Sequence, residues 1–152
     1  MAVFAGLREL EILDLDDNLI ETIAGQFNNT NIKVVILTRN KLLTIDLCRW
    51  STMPGMVSLS FNENSLQRVP KCLGRLPKVK YINFNHNQLT AIAIEAFAML
   101  KELELLFFGS NAIRTVTTNG RQIPPRLTEI YIDNNPLQYV NLTSLGSVRV
   151  YT

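Results

Sequence analysis

One eleven-residue pattern recurs six times along the chain, and this repetition limits the available folds more than any other feature. In each copy, apolar residues occupy positions 1, 4, 6 and 11 and an asparagine occupies position 9, as in VKYINFNHNQL at residues 79–89. By subtraction, consecutive asparagines are 22, 24, 23, 24 and 24 residues apart. A near-constant period in this range predicts a solenoid, to which each copy contributes one turn. The six asparagines are Asn18, Asn40, Asn64, Asn87, Asn111 and Asn135.

Each copy predicts one short β-strand around its positions 4 and 6, because alternate side chains of a strand point to opposite faces. Strands of consecutive copies must be parallel, since a return segment of similar length follows each of them. The asparagines then stack where the chain leaves the strand, and their amides satisfy turn backbone groups that would otherwise be buried unpaired. The sequence therefore predicts a structural ladder of asparagines along the solenoid.

The return segments carry apolar residues that predict a second core layer. Trp50 belongs to this layer as a core aromatic, and residues 92–100 have the composition of a short helix. Leu145, Val148 and Val150 restart the pattern as positions 1, 4 and 6 of an incomplete seventh copy. We expect residues 1–152 to form a single domain of six repeats and part of a seventh, as a fragment of a longer chain.

Composition excludes several classes of function. The net charge is +2, which is too small to predict binding to nucleic acid or to an anionic membrane. No apolar run has the length of a membrane span. The sequence contains no phosphate-binding glycine loop, no Cys/His zinc spacing and no GxSxG elbow, and it has one histidine. It therefore predicts neither an enzyme nor a bound cofactor.

These repeats resemble the typical extracellular class of leucine-rich repeat proteins, over nearly the whole chain. The resemblance implies an α/β repeat fold, a leucine-rich repeat solenoid with a parallel concave sheet and a mostly irregular or short-helical convex side. It also implies protein binding through the concave face. The stretches DLCRW and SLGSVRVYT further resemble secreted mosquito leucine-rich immune proteins, which are associated with a complement-like thioester protein in haemolymph.

The outward strand positions of a parallel solenoid form columns of neighbours about 4.8 Å apart. One column contains Tyr81 and Leu105, and the next contains Phe107 and Tyr131. Together these four residues make an exposed aromatic and aliphatic patch towards the C-terminal half, which marks a partner-binding site. Ordinary exposed apolar surface, or the cover of a neighbouring domain, remains an alternative reading of the patch.

Charged residues of the first repeats fall near one another. A further column contains Asp17, Arg39, Glu63 and His86. We interpret it as a ladder of ion pairs between neighbouring repeats rather than as a binding site. Asp14 and Asp16 share a face, but no further carboxylate is placed to complete a calcium shell, so we expect no metal site.

Cys48 and Cys72 each lie eight residues after a ladder asparagine, which makes them lateral neighbours on the convex side. A disulfide between them and two buried thiols are both compatible with this spacing, and the polar residues at equivalent positions favour the disulfide. Asn28 and Asn141 begin glycosylation sequons. Both features indicate an extracellular, secreted protein.

The sequence thus predicts an extracellular protein-binding module. The resemblance to mosquito immune proteins implies a role in innate immune recognition, with a complement-like protein as the partner. Two alternatives stay open. The chain is a structural segment of a receptor ectodomain or matrix protein, or it is an intracellular scaffold with free thiols and no glycan. The sequence also leaves open whether the chain forms oligomers.

Overall fold

The computed structural model of the chain describes residue 4 and residues 6–119 and 122–152, and its strands form two parallel sheets. The larger sheet has seven strands, in the order β1-β2-β3-β4-β6-β8-β10, and the smaller has three, in the order β5-β7-β9. In chain order the strands are β1 (Ile12–Asp14), β2 (Val34–Ile36), β3 (Ser58–Ser60), β4 (Tyr81–Asn83), β5 (Ala91–Ala93), β6 (Leu105–Phe107), β7 (Thr115–Thr117), β8 (Glu129–Tyr131), β9 (Tyr139–Val140) and β10 (Arg149–Tyr151). This arrangement confirms the predicted solenoid with a parallel sheet of one strand per repeat.

The register of the larger sheet follows the repeat pattern. Position 3 of one copy lies beside position 3 of the next, as Ile12 pairs with Val34 and Tyr81 pairs with Leu105. The central residue of each of the first six strands is buried and its two neighbours are more exposed. Alternation within a strand therefore sends one side chain into the core and two outwards, onto the columns that the sequence predicts.

The last strand of the larger sheet, β10, lies two residues later than the repeat spacing predicts. Arg149 pairs with Glu129 and Val150 with Ile130, so Val150 occupies position 4 rather than position 6. A shift of two residues keeps the same side chains on the same face, because strand alternation has a period of two. The outward residues are therefore as predicted, but their lateral neighbours differ, and Tyr151 lies beside Tyr131.

A continuous apolar core fills the space between the strands and the return segments. Phe84 stacks between Phe61 and Phe108, with ring centroids 5.4 and 5.3 Å apart, so aromatic contacts connect three successive repeats. Trp50 is 2% exposed and meets Phe27 edge to face at 5.1 Å, as expected of a core aromatic. No acceptor in the described residues meets the buried indole N–H of Trp50.

The ladder asparagines form a hydrogen-bonded column beside the core. Asn87 Nδ2 donates to the carbonyl of Phe61 in the preceding repeat at 2.9 Å, and Asn87 Oδ1 accepts from the backbone N–H of Leu66 at 2.9 Å. Asn40, Asn64, Asn111 and Asn135 repeat this geometry. Asn18 is exposed, and among the described residues its amide bonds only within its own turn, to the carbonyls of Leu15 and Asp16.

The residue before each ladder asparagine adopts the left-handed conformation, which L side chains rarely occupy. Each of these φ angles lies between 50° and 54°. The turn thus repeats a strained backbone without glycine, and the asparagine amide that follows supplies hydrogen bonds that hold it. The six residues are Asp17, Arg39, Glu63, His86, Ser110 and Asn134.

Short 3-10 helices lie on the convex side at Leu47–Arg49, Leu73–Arg75 and Ile94–Phe97. The helix predicted over residues 92–100 is therefore shorter than expected, because Ala91–Ala93 instead forms a strand of the three-stranded sheet. That second sheet was not predicted. Its strands follow position 11 of successive repeats, where one apolar residue between two polar or small ones gives only a weak strand signal.

Candidate functional site

The four residues of the predicted patch lie on outward positions of the larger sheet. Tyr81 and Leu105 are lateral neighbours in one column, and Phe107 and Tyr131 are lateral neighbours in the next. All four are half-buried. The structure therefore brings them together on a single surface, which we call the aromatic patch.

Tyr151 extends the aromatic patch by a third stacked ring. Phe107 stacks on Tyr131 with ring centroids 5.0 Å apart, and Tyr131 stacks on Tyr151 at 4.6 Å. Because Tyr151 is 40% exposed, much of its ring is open to a partner. Sequence reasoning missed this residue because the predicted frame of the seventh repeat placed Arg149, rather than Tyr151, next to Tyr131.

Charged residues beside the aromatic patch are paired with one another. The Tyr131 hydroxyl donates to the Glu129 carboxylate at 2.5 Å, and Glu129 also pairs with Arg149. The hydrogen bond to Glu129 is the main cause that raises the pKa of Tyr131 above its ordinary value of 10.0, with burial and the neighbouring charge as further causes. The tyrosine therefore stays neutral at physiological pH and donates a hydrogen bond.

The second tyrosine of the patch has a similar environment. The Tyr81 hydroxyl donates to Glu104 at 3.2 Å, and Glu104 pairs with Lys80 at 2.9 Å. The hydrogen bond from Lys80 is the largest cause that lowers the pKa of Glu104, and the same bond raises the pKa of Lys80. Since these charges are internally balanced, the patch presents ring surface and hydroxyl groups rather than net charge.

The predicted charged column is only partly an ion-pair ladder. Arg39 bridges Asp17 at 2.5 Å and Asp16 at 2.6 Å, and the hydrogen bond from Arg39 is the main cause that lowers the pKa of Asp17. Glu63 instead accepts a hydrogen bond from the Asn62 amide at 3.0 Å. Within the described part of the chain, His86 takes part in no ion pair. The column is therefore paired only at its N-terminal end.

The first-repeat carboxylates are occupied by local contacts. Asp14 Oδ1 accepts the backbone N–H of Asp16 at 3.0 Å, and Asp16 is bound by Arg39. Among residues 6–119 and 122–152 and residue 4, no group of three or more acidic, histidine or cysteine side chains is arranged to hold a metal ion.

The structure joins Cys48 and Cys72 in a disulfide on the convex side, with their Cα atoms 5.0 Å apart. Both residues are exposed, so the bridge connects two return segments at the surface. Asn28 is exposed, whereas Asn141 is half-buried and its Oδ1 accepts the Thr143 hydroxyl at 2.8 Å. The two sequon asparagines therefore differ in their accessibility to a modifying enzyme.

Sequence comparisons identify relatives among repeat proteins and receptors. The family described as leucine rich repeat matches residues 30–89 and 79–137, which together are more than half of the chain. Osteomodulin from Bos taurus is 30% identical over 146 residues, which cover 91% of this chain and 32% of osteomodulin. Toll-like receptor 2 from Pan troglodytes is 25% identical over 146 residues, which cover 91% of this chain and 18% of the receptor. The chain thus spans a third or less of these relatives.

Solved structures share the same fold at low sequence identity. A chain of the Drosophila Toll–Spatzle complex superposes with a TM-score of 0.63 at 19% identity, covering 93% of this chain and 25% of that one. Internalin C2 from Listeria monocytogenes superposes with a TM-score of 0.58 at 20% identity, covering 96% of this chain and 73% of that one. None of the helices in the described residues has the length and apolar character that crossing a bilayer requires.

The matched family and these relatives indicate no enzyme class. The family match covers more than half of the sequence, and it agrees with the repeat pattern and with the parallel sheet of one strand per repeat. The chain therefore belongs to the leucine-rich repeat family.

Proposed function

We propose that this chain is an extracellular protein-binding module whose concave sheet recognises a partner protein through the aromatic patch. The observation that carries the proposal is the stacked column of Phe107, Tyr131 and Tyr151 on the outer face of the larger sheet. Aromatic residues on an exposed surface supply a large contact area at a small conformational-entropy cost, and they dominate the energy of many interfaces. Tyr81 and Leu105 enlarge the same surface.

The polar middle of the sheet supports recognition of a protein. Ser58, Ser60 and Asn83 occupy outward strand positions between the patch and the first repeats. Their hydroxyl and amide groups can hydrogen-bond to a partner around the aromatic anchors, as in interfaces with an apolar centre and a polar rim. The comparison with a chain of the Toll–Spatzle complex supports a protein as the class of ligand.

The proposal also includes where the protein acts and in which process. The Cys48–Cys72 disulfide is compatible with an oxidising compartment, and glycans on Asn28 and Asn141 would accompany secretion. Similarity to Toll-like receptor 2 and the resemblance to secreted mosquito leucine-rich immune proteins support innate immune recognition, with a complement-like protein as the candidate partner. In this proposal, residues 1–152 form one domain of a longer chain.

Paired variants test the binding proposal. The Tyr131→Ser variant removes the central ring of the stack, and Tyr139→Ser removes a tyrosine of the three-stranded sheet that is 56% exposed. We expect partner proteins from the extracellular fluid to be retained by wild type and by Tyr139→Ser, and to bind Tyr131→Ser about tenfold or more weakly, as loss of an interface anchor predicts. Retention of the same partners by all three proteins would reject the concave face as the binding surface.

Intact mass tests the extracellular context separately. We expect protein secreted from insect cells to carry glycan mass, and to add two alkyl groups only after reduction. Two free thiols without glycan would reject the extracellular context and favour an intracellular scaffold.

A further inference from the structure

Charge is distributed unevenly along this solenoid, although the net charge is only +2. Residues 1–31 contain six acidic residues and one basic residue, which leaves a net charge of +7 for the rest of the chain. Residues 64–94 contain five Lys or Arg residues and no Asp or Glu. The small net charge therefore conceals a basic region, and four of its five cations lie on the return segment at residues 68–78.

Arg75 of this basic region and Arg49 of the preceding return segment face one groove on the convex side. The groove is largely open to solvent and has a volume of about 460 Å³. No carboxylate of the described residues lines it. The lining residues are Gln26, Cys48, Arg49, Trp50, Ser51 and Arg75, and we call this feature the convex groove.

The convex groove is built on a well-connected backbone. Ser51 N–H donates to the carbonyl of Phe27 at 2.9 Å, and Met53 N–H donates to the carbonyl of Arg75 at 2.8 Å. The Cys48–Cys72 disulfide joins the return segments that contain Arg49 and Arg75. Cys48 lies one residue before Arg49, and Cys72 lies three residues before Arg75. Three adjacent return segments are thus held together, so covalent and backbone bonds fix the backbone positions of the two arginines relative to each other.

The two guanidinium groups differ in how far they are neutralised. Arg49 pairs with Asp46 at 3.3 Å, with its side chain 67% exposed. Asp46 also lies opposite Lys71 in a parallel bridge. Arg75 is exposed, and in the described part of the chain it forms no ion pair. Of these two arginines, Arg75 therefore has the greater capacity to bind an anion from outside the chain.

The geometry points to the convex groove as a binding site for a sulfated polysaccharide. Guanidinium groups form charge-assisted, planar hydrogen bonds with oxyanions. The Ser51 hydroxyl and the Gln26 amide add neutral hydrogen-bonding groups suited to sugar hydroxyls. Nucleic acid is disfavoured because the groove offers no exposed ring for base stacking, since Trp50 is 2% exposed. This site lies on the face opposite the aromatic patch and does not depend on it.

Binding of defined oligosaccharides to the disulfide-intact chain tests the inference. The probe is a fluorescent heparin octasaccharide, with its desulfated form, polyglutamate and a single-stranded DNA oligonucleotide as competitors, measured by anisotropy over a series of salt concentrations. We expect R49Q/R75Q to weaken binding of the sulfated octasaccharide by about tenfold or more, because two charge-assisted contacts are lost. The matched variant R114Q removes an exposed arginine elsewhere, and should weaken binding by less than about twofold.

Several outcomes would overturn the inference. Equal weakening by R114Q would mean that only overall charge matters, and equal binding of the desulfated octasaccharide would exclude sulfate as the recognised group. Tighter binding of polyglutamate or DNA would assign the groove to another class of anion. Phenylglyoxal labelling of the wild type gives a readout that needs no variant to fold. We expect the octasaccharide to protect Arg49 and Arg75 but not Arg114, and unprotected Arg75 would reject the site.

Discussion

The ring of Tyr131 stacks on the ring of Tyr151 with centroids 4.6 Å apart and planes 10° apart. The two residues are 20 positions apart by subtraction, whereas the preceding repeats are 22 to 24 residues long. The shorter return segment still brings the last strand into register, and it places a third ring on the aromatic patch. This contact also adds to the environment that keeps the Tyr131 hydroxyl protonated.

Tyr131 should titrate above the ordinary tyrosine value of 10.0, because Glu129 accepts a hydrogen bond only from the neutral phenol. We expect the ultraviolet difference titration between wild type and Tyr131→Phe to show one phenolate transition above pH 10.0. Glu129→Gln should move that transition to lower pH. The raised pKa favours the folded state below the ordinary value, and this contribution is lost as the pH rises through the folded-state value. A transition at or below pH 10.0 in the difference titration would contradict the hydrogen bond.

Asn87→Ala should destabilise the fold much more than Asn18→Ala. Asn87 is 8% exposed, and its removal leaves the Phe61 carbonyl and the Leu66 N–H without their side-chain partner. Buried groups left unpaired cost about 1–3 kcal/mol each, so we expect a loss of about 2–4 kcal/mol in the free energy of unfolding measured with urea. Asn18 is exposed, and its amide bonds in the described part of the chain stay within its own turn, so water can replace its contacts. Equal losses for both variants would refute a ladder that acts between repeats.

The Asp17–Arg39 pair should make stability depend on pH in the acid range. Since the folded-state pKa of Asp17 lies below 3.8, the contribution is present above that value and is lost as the pH falls through the folded-state value. We expect Arg39→Gln to flatten the decline of the melting temperature below about pH 4, because the carboxylate then titrates near its ordinary value. Lys41→Gln is the matched control, as Lys41 is exposed and pairs with no carboxylate in the described residues. The difference should shrink in high salt, and an unchanged pH profile for Arg39→Gln would count against the pair.

Replacing both cysteines by serine should lower the free energy of unfolding by about 3 kcal/mol, as loop-closure entropy predicts for a bridge of this span. The two cysteines are 24 residues apart, so the bridge closes one repeat. Urea unfolding of wild type and C48S/C72S gives the comparison, and wild type under reducing conditions should match the variant. If reduction leaves the wild-type midpoint unchanged, the bridge does not constrain the unfolded chain.

The sequence by itself determined the repeat, the parallel sheet and the positions of the ladder asparagines. The physical reason is that a side-chain period of two within each strand and a repeat of 22 to 24 residues leave few ways to bury the apolar positions. The outward columns followed from the same argument, and four residues of the aromatic patch could therefore be named in advance.

Only the tertiary structure decided which side chains meet where the period changes. The final strand could take either of two registers that bury the same face, so the stacking of Tyr151 depends on the packing of residues 141–148. The second sheet also required the structure, because Ala91–Ala93 has little strand propensity and becomes a strand through lateral pairing with Thr115–Thr117. The convex groove depends on the same lateral contacts, since Arg49 and Arg75 are 26 positions apart and meet only when adjacent repeats stack.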